Sequence, residues 1–460
     1  MALIKSISGI RGTIGGAVGT NLTPQDIVEC TAAFGTWILS RHKKAKVVVG
    51  RDGRISGDIV SSLAINTLRS LGIDVVDLGF STTPTVEIAV PLEDAQAGII
   101  FTASHNPKQW NALKFLNEKG EFISAQNGAD VLANITNGKI EYASVENLGK
   151  YRADYTYIDK HIAQILALPL VFAEAIKEKA YKVVVDCINS TGAISIKPLL
   201  EQLGCEVVLI NGEITGEFAH NPEPLPENLY ELSKAVQYHR ADLGIAVDPD
   251  VDRLVLVCED GDMFGEEYTL VAVSDYILQH KPGNTVSNLS STRALRDVTE
   301  RRGGQYFAAA VGEVNVVEMM KAQNAVIGGE GNGGIIYPEL HYGRDSLVGV
   351  ALFLSLLATS NQKCSYLRRT YPNYIISKNK ITLDDTVDLD LIFEKLKDKY
   401  KFAKLNTIDG LKIEFEPDWI HLRRSNTEPI IRIYAESQTE TTANNLAMKI
   451  KQDIVEMLKD

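Results

Sequence analysis

Residues 182–210, KVVVDCINSTGAISIKPLLEQLGCEVVLI, read as strand, helix, strand. The two apolar runs, Val183–Asp186 and Val207–Ile210, are continuous rather than alternating, as expected of strands covered on both faces. Between them Ile194–Leu203 has helical spacing and ends at Leu203-Gly204. The same texture stands earlier: Val47–Gly50, a helix over Asp58–Leu71 ending at Leu71-Gly72, then Val75–Leu78. A third version runs from Thr285 to Tyr306, with Arg302-Gly303-Gly304 in the linking position. The chain therefore uses one βαβ module three times, which makes it α/β with parallel or mixed sheets. Gly98–Phe101, Leu243–Val247 and Leu254–Val257 add further strands, and Thr23-Pro24 opens a helix over Pro24–Leu39.

From Ile375 the texture changes. Leu411-Lys-Ile-Glu-Phe415 and Ile430-Ile-Arg-Ile-Tyr434 alternate, which suggests an antiparallel sheet with one open face, and Thr441–Leu458 is an amphipathic helix. At about 150 residues per domain, 460 residues suggest three domains. The separate C-terminal texture raises this to four: an α/β unit over 1–150, a second over 151–258, a third over 259–370, and an α+β unit over 371–460. Tyr151–Ala180 reads as a charged helical stretch joining the first unit to the second.

Composition narrows the function. Hydrophobic residues make up 45% and charged residues 23%, ordinary for a folded chain. The net charge of −12 argues against a general nucleic-acid binder, although local arginines can still build a pocket for a small anion. The longest apolar run, Leu347–Ala358, is too short to span a bilayer, and the N-terminus lacks the pattern of a signal peptide. The five cysteines include no C-x-x-C pair. The expectation is a cytoplasmic protein with neither disulfides nor zinc cysteines, no membrane and no nucleic-acid partner.

Four constellations carry chemistry. Thr102-Ala-Ser104-His105-Asn106-Pro107 follows the strand Gly98–Phe101, so Ser104 lies at a strand's C-terminal end, a favoured ligand position. The esterase elbow is absent, and such a serine could instead carry a phosphoryl group and pass it on, with Lys114 as acid/base or charge stabiliser; a plain helix cap is the structural alternative. Asp248-Pro-Asp250-Val-Asp252-Arg253 sets three carboxylates at alternate positions, a repulsive arrangement unless a hard cation such as Mg²⁺ sits among them. Gly328-Gly-Glu330-Gly-Asn332-Gly-Gly334 leaves a bare backbone carrying a carboxylate and an amide, which suits sugar hydroxyls or an amine. Arg423-Arg424-Ser425-Asn426-Thr427, with Arg432 beyond, offers a phosphate cradle.

In order along the chain, these motifs resemble the α-D-phosphohexomutase family over essentially its whole length, with Ser-Gly-Ile-Arg-Gly at Ser8–Gly12 as a further match. The resemblance implies a four-domain architecture whose cleft draws one loop from each domain. It implies a resting phosphoserine at Ser104, beside His105, and one Mg²⁺ held by Asp248, Asp250, Asp252 and a phosphoserine oxygen. Lys114 would serve proton transfer, Arg11 and Arg253 would face the phosphoryl group, and Glu330 and Asn332 would meet the sugar. Arg423, Ser425, Asn426 and Thr427 would hold the phosphate that does not react. The implied reaction interconverts hexose 6-phosphate and hexose 1-phosphate through a hexose 1,6-bisphosphate, in a monomer or homodimer.

Many bacterial relatives carry Ser-Gly-His in the sugar loop, whereas Asn332-Gly333-Gly334 stands here, closer to the phosphoglucosamine mutases of archaeal type. Glucosamine phosphate is the expected substrate, with phosphomannomutase or phosphoglucomutase activity as the alternative; His341 is a candidate for the missing histidine. An inactive sugar-phosphate sensor and an unrelated phosphatase or kinase are weaker readings, since Asp388-Leu-Asp390 lacks the threonine of a phosphatase motif and no nucleotide loop is present.

Overall fold

The computed structural model describes residues 3–6, 9–137, 140–382, 389–424 and 430–458. Ser425, Asn426 and Thr427 of the expected phosphate loop, and Asp388, lie outside the described residues.

Residues 182–210 form the strand Lys182–Asp186, the helix Gly192–Gln202 and the strand Glu206–Ile210, the strands pairing in parallel with Val183 opposite Val207. Lys46–Arg51, Gly57–Ser70 and Asp74–Phe80 repeat the unit, as do Asn284–Asn288, Ala294–Arg301 and Tyr306–Ala309. The shared glycine has a common cause. Gly72, Gly204 and Gly303 close their helices at φ +83°, +76° and +79°, a left-handed turn that a side chain disfavours.

Each of the three sheets is mixed. Trp110–Leu116, Leu254–Cys258 and Gly334–Ile336 each return antiparallel to a parallel strand. The first sheet has seven strands and extends beyond the expected boundary at 150. Tyr151–Ala153, expected to open the second unit as helix, pairs in parallel with Asp74–Phe80, and the helices Tyr157–Leu166 and Ala173–Lys179 follow it. A three-residue strand carries too little periodicity to be read from sequence. The fourth sheet has five strands, all antiparallel, and packs on the helices Leu389–Lys399 and Glu440–Met457.

The apolar run at 347–358 is the core of the helix Ser346–Ser360, buried around nearly its whole circumference, which belongs to the largest hydrophobic cluster. A helix apolar on all sides is stable only when surrounded, and this one is packed by residues of the second and third units. No described helix is long and apolar enough to cross a membrane.

The glycine-rich stretch is a strand hairpin rather than an open loop. Gly328, Gly329 and Glu330 end the strand Ala325–Glu330, and Gly334 begins the next. Its glycines are required by close packing: a Cβ at Gly329 would stand 2.0 Å from the Gly334 carbonyl oxygen, and one at Gly333 would stand 2.4 Å from that of Leu254.

Candidate active site

The strand Ala97–Phe101 delivers Ser104 to the C-terminal edge of the first sheet, with a left-handed backbone at φ +49°. A non-glycine residue adopts this conformation only when its surroundings impose it. Here the clamp is Arg54, a buried guanidinium that the sequence reading missed. It donates to the carbonyl oxygens of Ser104, Asn106, Pro107 and Trp110, the last three at 2.8–2.9 Å. Asp52 fixes Arg54 through a 3.0 Å ion pair and also accepts the Thr102 hydroxyl at 2.6 Å. Thr102 in turn accepts the Ser104 backbone N–H at 2.9 Å.

The strand Leu243–Val247 delivers the aspartates from the second sheet. Ser104 Oγ donates to Asp248 Oδ2 at 2.8 Å, and His105 Nδ1 lies 3.3 Å from the same hydroxyl. Asp248 Oδ1 accepts the backbone N–H groups of Asp252 and Arg253, both at 3.1 Å. Asp250 Oδ2 accepts Lys114 Nζ at 3.0 Å and the Thr83 hydroxyl at 2.6 Å. Asp252 Oδ2 accepts Arg344 Nη2 at 2.6 Å. The loop is pinned from below, because the Pro249 carbonyl accepts the hydroxyls of Ser190 and Thr191. Val251 sits at φ +61°, where a β-branched side chain is strongly disfavoured.

Each aspartate of the set is fully buried, and their ligand atoms lie within 4.8 Å of one another. Asp250 Oδ1 and Asp252 Oδ1 have no hydrogen-bond partner although both are buried. Buried carboxylate oxygens left unpaired are costly, and an all-oxygen set with orphaned atoms fits a hard divalent cation, Mg²⁺ first. Without a cation the loop is electrostatically divided. Burial, then the charges of Asp252 and Asp250, push Asp248 well above the usual carboxylate range. Burial acts the same way on Asp250, but the Lys114 charge and the Thr83 hydroxyl outweigh it and hold that group low. Burial works against the charge on Lys114, and Asp250 and Asp252 more than offset it, raising this amine.

Ser104 and Lys114 border a cavity of about 400 Å³ between the first and third units. Arg11, Lys114, Arg253 and Arg344 line it together with Ser104, His105, Glu313 and Glu330. Arg11 lies on the strand Gly9–Thr13, is half-buried, and burial lowers its pKa. Burial and the charges of Arg253, Arg344 and Lys114 hold His105 well below the ordinary imidazole value. The cavity thus gathers cations in an acidic protein, as capture of an anion requires.

Arg344 and Glu313 are further residues that sequence reasoning missed. The buried Arg344 guanidinium joins Asp252 at 2.6 Å, Glu330 at 2.9 Å and Glu313 at 3.0 Å, linking the aspartate loop to the glycine hairpin. Glu330 also accepts from Asn288 and from the Gly312 N–H, so its position is fixed. The available signals were positional: Arg54 follows the strand Lys46–Arg51, and Arg344 stands one residue before the Asp345 cap of the apolar helix Ser346–Ser360.

Two expected residues stand apart from the cavity. Asn332 Oδ1 accepts the Gly334 N–H at 3.2 Å, so this amide caps its own hairpin and does not line the pocket. A short turn rich in glycine needs a side-chain acceptor, and Asn332 supplies it. Arg423, at the end of the strand Trp419–Arg424, pairs with Asp409 at 2.7 Å; Asp409 also accepts the N–H of cavity-lining Val311 at 3.0 Å. Arg423 therefore reaches the pocket wall through one intermediary.

Comparison with known proteins agrees with this geometry. Four domains described as phosphoglucomutase/phosphomannomutase match in order: alpha/beta/alpha domain I over residues 3–141, domain II over 156–261, domain III over 265–374, and the C-terminal domain over 383–452. A probable phosphoglucosamine mutase of Methanopyrus kandleri is 33% identical over 444 residues, covering 95% of each chain. A phosphoglucomutase/phosphomannomutase of Thermococcus kodakarensis is 35% identical over 440 residues, covering 94% of this chain and 95% of its own. The crystal structure of a phosphoglucomutase/phosphomannomutase family protein from Burkholderia thailandensis superposes with a TM-score of 0.83 at 27% identity, over 99% of this chain and 97% of that one. With all four domains present in order, the chain belongs to the phosphoglucomutase/phosphomannomutase family of phosphohexomutases.

Proposed function

We propose that this chain interconverts glucosamine 6-phosphate and glucosamine 1-phosphate through a phosphoserine at Ser104 and a bisphosphate intermediate. The observation that carries the reading is the bond from Ser104 Oγ to Asp248 Oδ2, which sets the serine at the head of the buried aspartate set and inside the cationic cavity. Asp248, Asp250, Asp252 and a phosphoserine oxygen would hold Mg²⁺, which when bound neutralises charge on the transferring phosphoryl oxygens.

The protein's own groups supply the rest. A sugar hydroxyl attacks the phosphorus on Ser104; the new P–O bond forms as the P–Oγ bond breaks. The hydroxyl proton passes to a cleft base, and Ser104 Oγ regains a proton. His105, 3.3 Å from Oγ, and Lys114 are the candidates for these transfers. Arg11 and Arg253 hold the phosphoryl oxygens in line. The bisphosphate then turns, with its other phosphate in the Ser104 position, and returns that group to the serine. Phosphoryl transfer demands positioning and charge neutralisation above all, and the clamp on the serine loop serves both.

The amino sugar is favoured because two carboxylates, Glu330 and Glu313, face the cavity and complement an ammonium at the sugar's 2-position. The Methanopyrus kandleri relative supports it, and the Thermococcus kodakarensis relative supports phosphomannomutase/phosphoglucomutase activity as the second reading. The test is a panel of the 1-phosphates of glucosamine, N-acetylglucosamine, mannose and glucose, each with Mg²⁺ and a catalytic amount of the matching bisphosphate. The highest kcat/KM is expected for glucosamine 1-phosphate. A higher value for mannose or glucose selects the second reading, and no turnover of any sugar defeats the mutase assignment.

A further inference from the structure

Behind the cavity lies a second polar cluster with no part in the proposed chemistry. His161, from the helix Tyr157–Leu166, and Asp345, the cap of the helix Ser346–Ser360, are fully buried. Asp345 Oδ2 is 2.9 Å from His161 Nε2 and 3.2 Å from His341 Nε2. One ligand atom from each of the three lies within 4.8 Å of the others. The other carboxylate oxygen, Oδ1, accepts the N–H groups of Leu347 and Val348, which fixes the orientation of the group. We propose that His161 Nε2, His341 Nε2 and Asp345 Oδ2 form a structural site for a borderline divalent transition metal, Zn²⁺ first, distinct from the aspartate site.

Three observations are compatible with a metal at this cluster. First, the donor set is right: two imidazoles and one carboxylate suit zinc, whose ligand atoms in a tetrahedron stand about 3.3 Å apart, close to the observed 2.9 and 3.2 Å. Second, each imidazole turns its other nitrogen toward a polar side chain. Thr85 Oγ1 lies 3.0 Å from His161 Nδ1, and Glu87 Oε2 lies 3.4 Å from His341 Nδ1. Carboxylate and hydroxyl partners of this kind orient metal-bound histidines.

Third, the metal-free cluster leaves polar atoms stranded. Both Glu87 oxygens and His341 Nδ1 are buried without a hydrogen-bond partner. With Nε2 on a metal, His341 must carry its proton on Nδ1, which pairs that nitrogen with Glu87 Oε2. A divalent ion also balances the two buried carboxylates, Glu87 and Asp345. Space is kept for this contact: a Cβ at Gly343 would stand 1.9 Å from Glu87 Oε2.

The location gives the site a purpose. Glu87 and Thr85 belong to the first family domain, His161 to the second, and His341 and Asp345 to the third. The metal would tie all three together directly behind the cleft. Thr83, on the helix that carries Glu87, holds Asp250, and Arg344, next to Asp345, holds Asp252.

The test uses the full chain, stripped with a chelator and titrated with Co²⁺ in excess Mg²⁺, which occupies the aspartate site. One equivalent should give visible bands of nitrogen-ligated Co²⁺ that are stronger than those of the hydrated ion. Zn²⁺ should abolish those bands and raise Tm. His341→Gln should lose both effects, Glu87→Gln should weaken binding about 10–100-fold, and Asp250→Asn should retain the bands. The proposal is overturned if the wild-type chain gives no bands at saturating Co²⁺, if they survive His341→Gln, or if Asp250→Asn removes them. Should His341→Gln fail to fold, unchanged affinity in Glu87→Gln overturns it instead.

Discussion

Ser104 Oγ and Asp248 Oδ2 meet at 2.8 Å although 144 residues separate them in the chain. One comes from the end of a strand in the first sheet and the other from the end of a strand in the second. The candidate nucleophile and the candidate cation site therefore meet only while these two units are docked.

Ser104→Ala removes the phosphoryl carrier and leaves Lys114, Arg253 and the aspartates in place. Turnover should fall by roughly 10³-fold or more while sugar phosphate binding survives. Intact-mass measurement of the wild-type chain should show one phosphoryl group that the variant lacks. Full activity in the alanine variant would sink the phosphoserine reading.

Lys114→Met keeps much of the side-chain volume and removes the charge that pairs with Asp250. A decrease in kcat of about 10²–10⁴-fold with little change in KM is the signature of lost proton transfer or charge stabilisation. A change confined to KM would reduce Lys114 to a binding residue.

Arg54→Met strands the buried Asp52 carboxylate and frees the carbonyl oxygens that hold the serine loop. Breaking a buried pair by removing one partner costs about 3–5 kcal/mol. Chemical denaturation should show a loss of that size, and activity should fall even where the fold persists. A change below about 1 kcal/mol would show that the clamp adds little.

His421 governs an acid limb of stability. It is buried, accepts the Ser290 hydroxyl through Nδ1 at 2.9 Å and donates through Nε2 to the Asp409 carbonyl at 2.7 Å. Burial, with the nearby charges of Lys412 and Arg423, lowers its pKa to about 4. The folded state therefore binds fewer protons than the unfolded state between pH 6.5 and about 4. Its stabilising contribution is complete above pH 6.5 and is lost as pH falls through this window, by about 3 kcal/mol in all. Denaturation curves at pH 7 and pH 5 should differ less in His421→Asn than in the wild-type chain.

The sequence by itself determined the repeated βαβ units, because a continuous apolar strand and a left-handed glycine after the helix are local requirements that leave local traces. It also marked Ser104 and the three aspartates as candidates, because each stands in a short motif of distinctive residue types. It did not mark Arg54, Arg344 or Glu313, since each is a lone charged residue whose partners are brought to it from elsewhere in the chain. Asn332 was legible as a polar group in a glycine stretch, but only the hairpin register turned its amide onto the Gly334 N–H. The short strand Tyr151–Ala153 was decided by the open edge of Asp74–Phe80, a pairing no local pattern announces. Tertiary structure decided which charges would share a low-dielectric space, because burial and distance, rather than residue type, set the strength of each interaction.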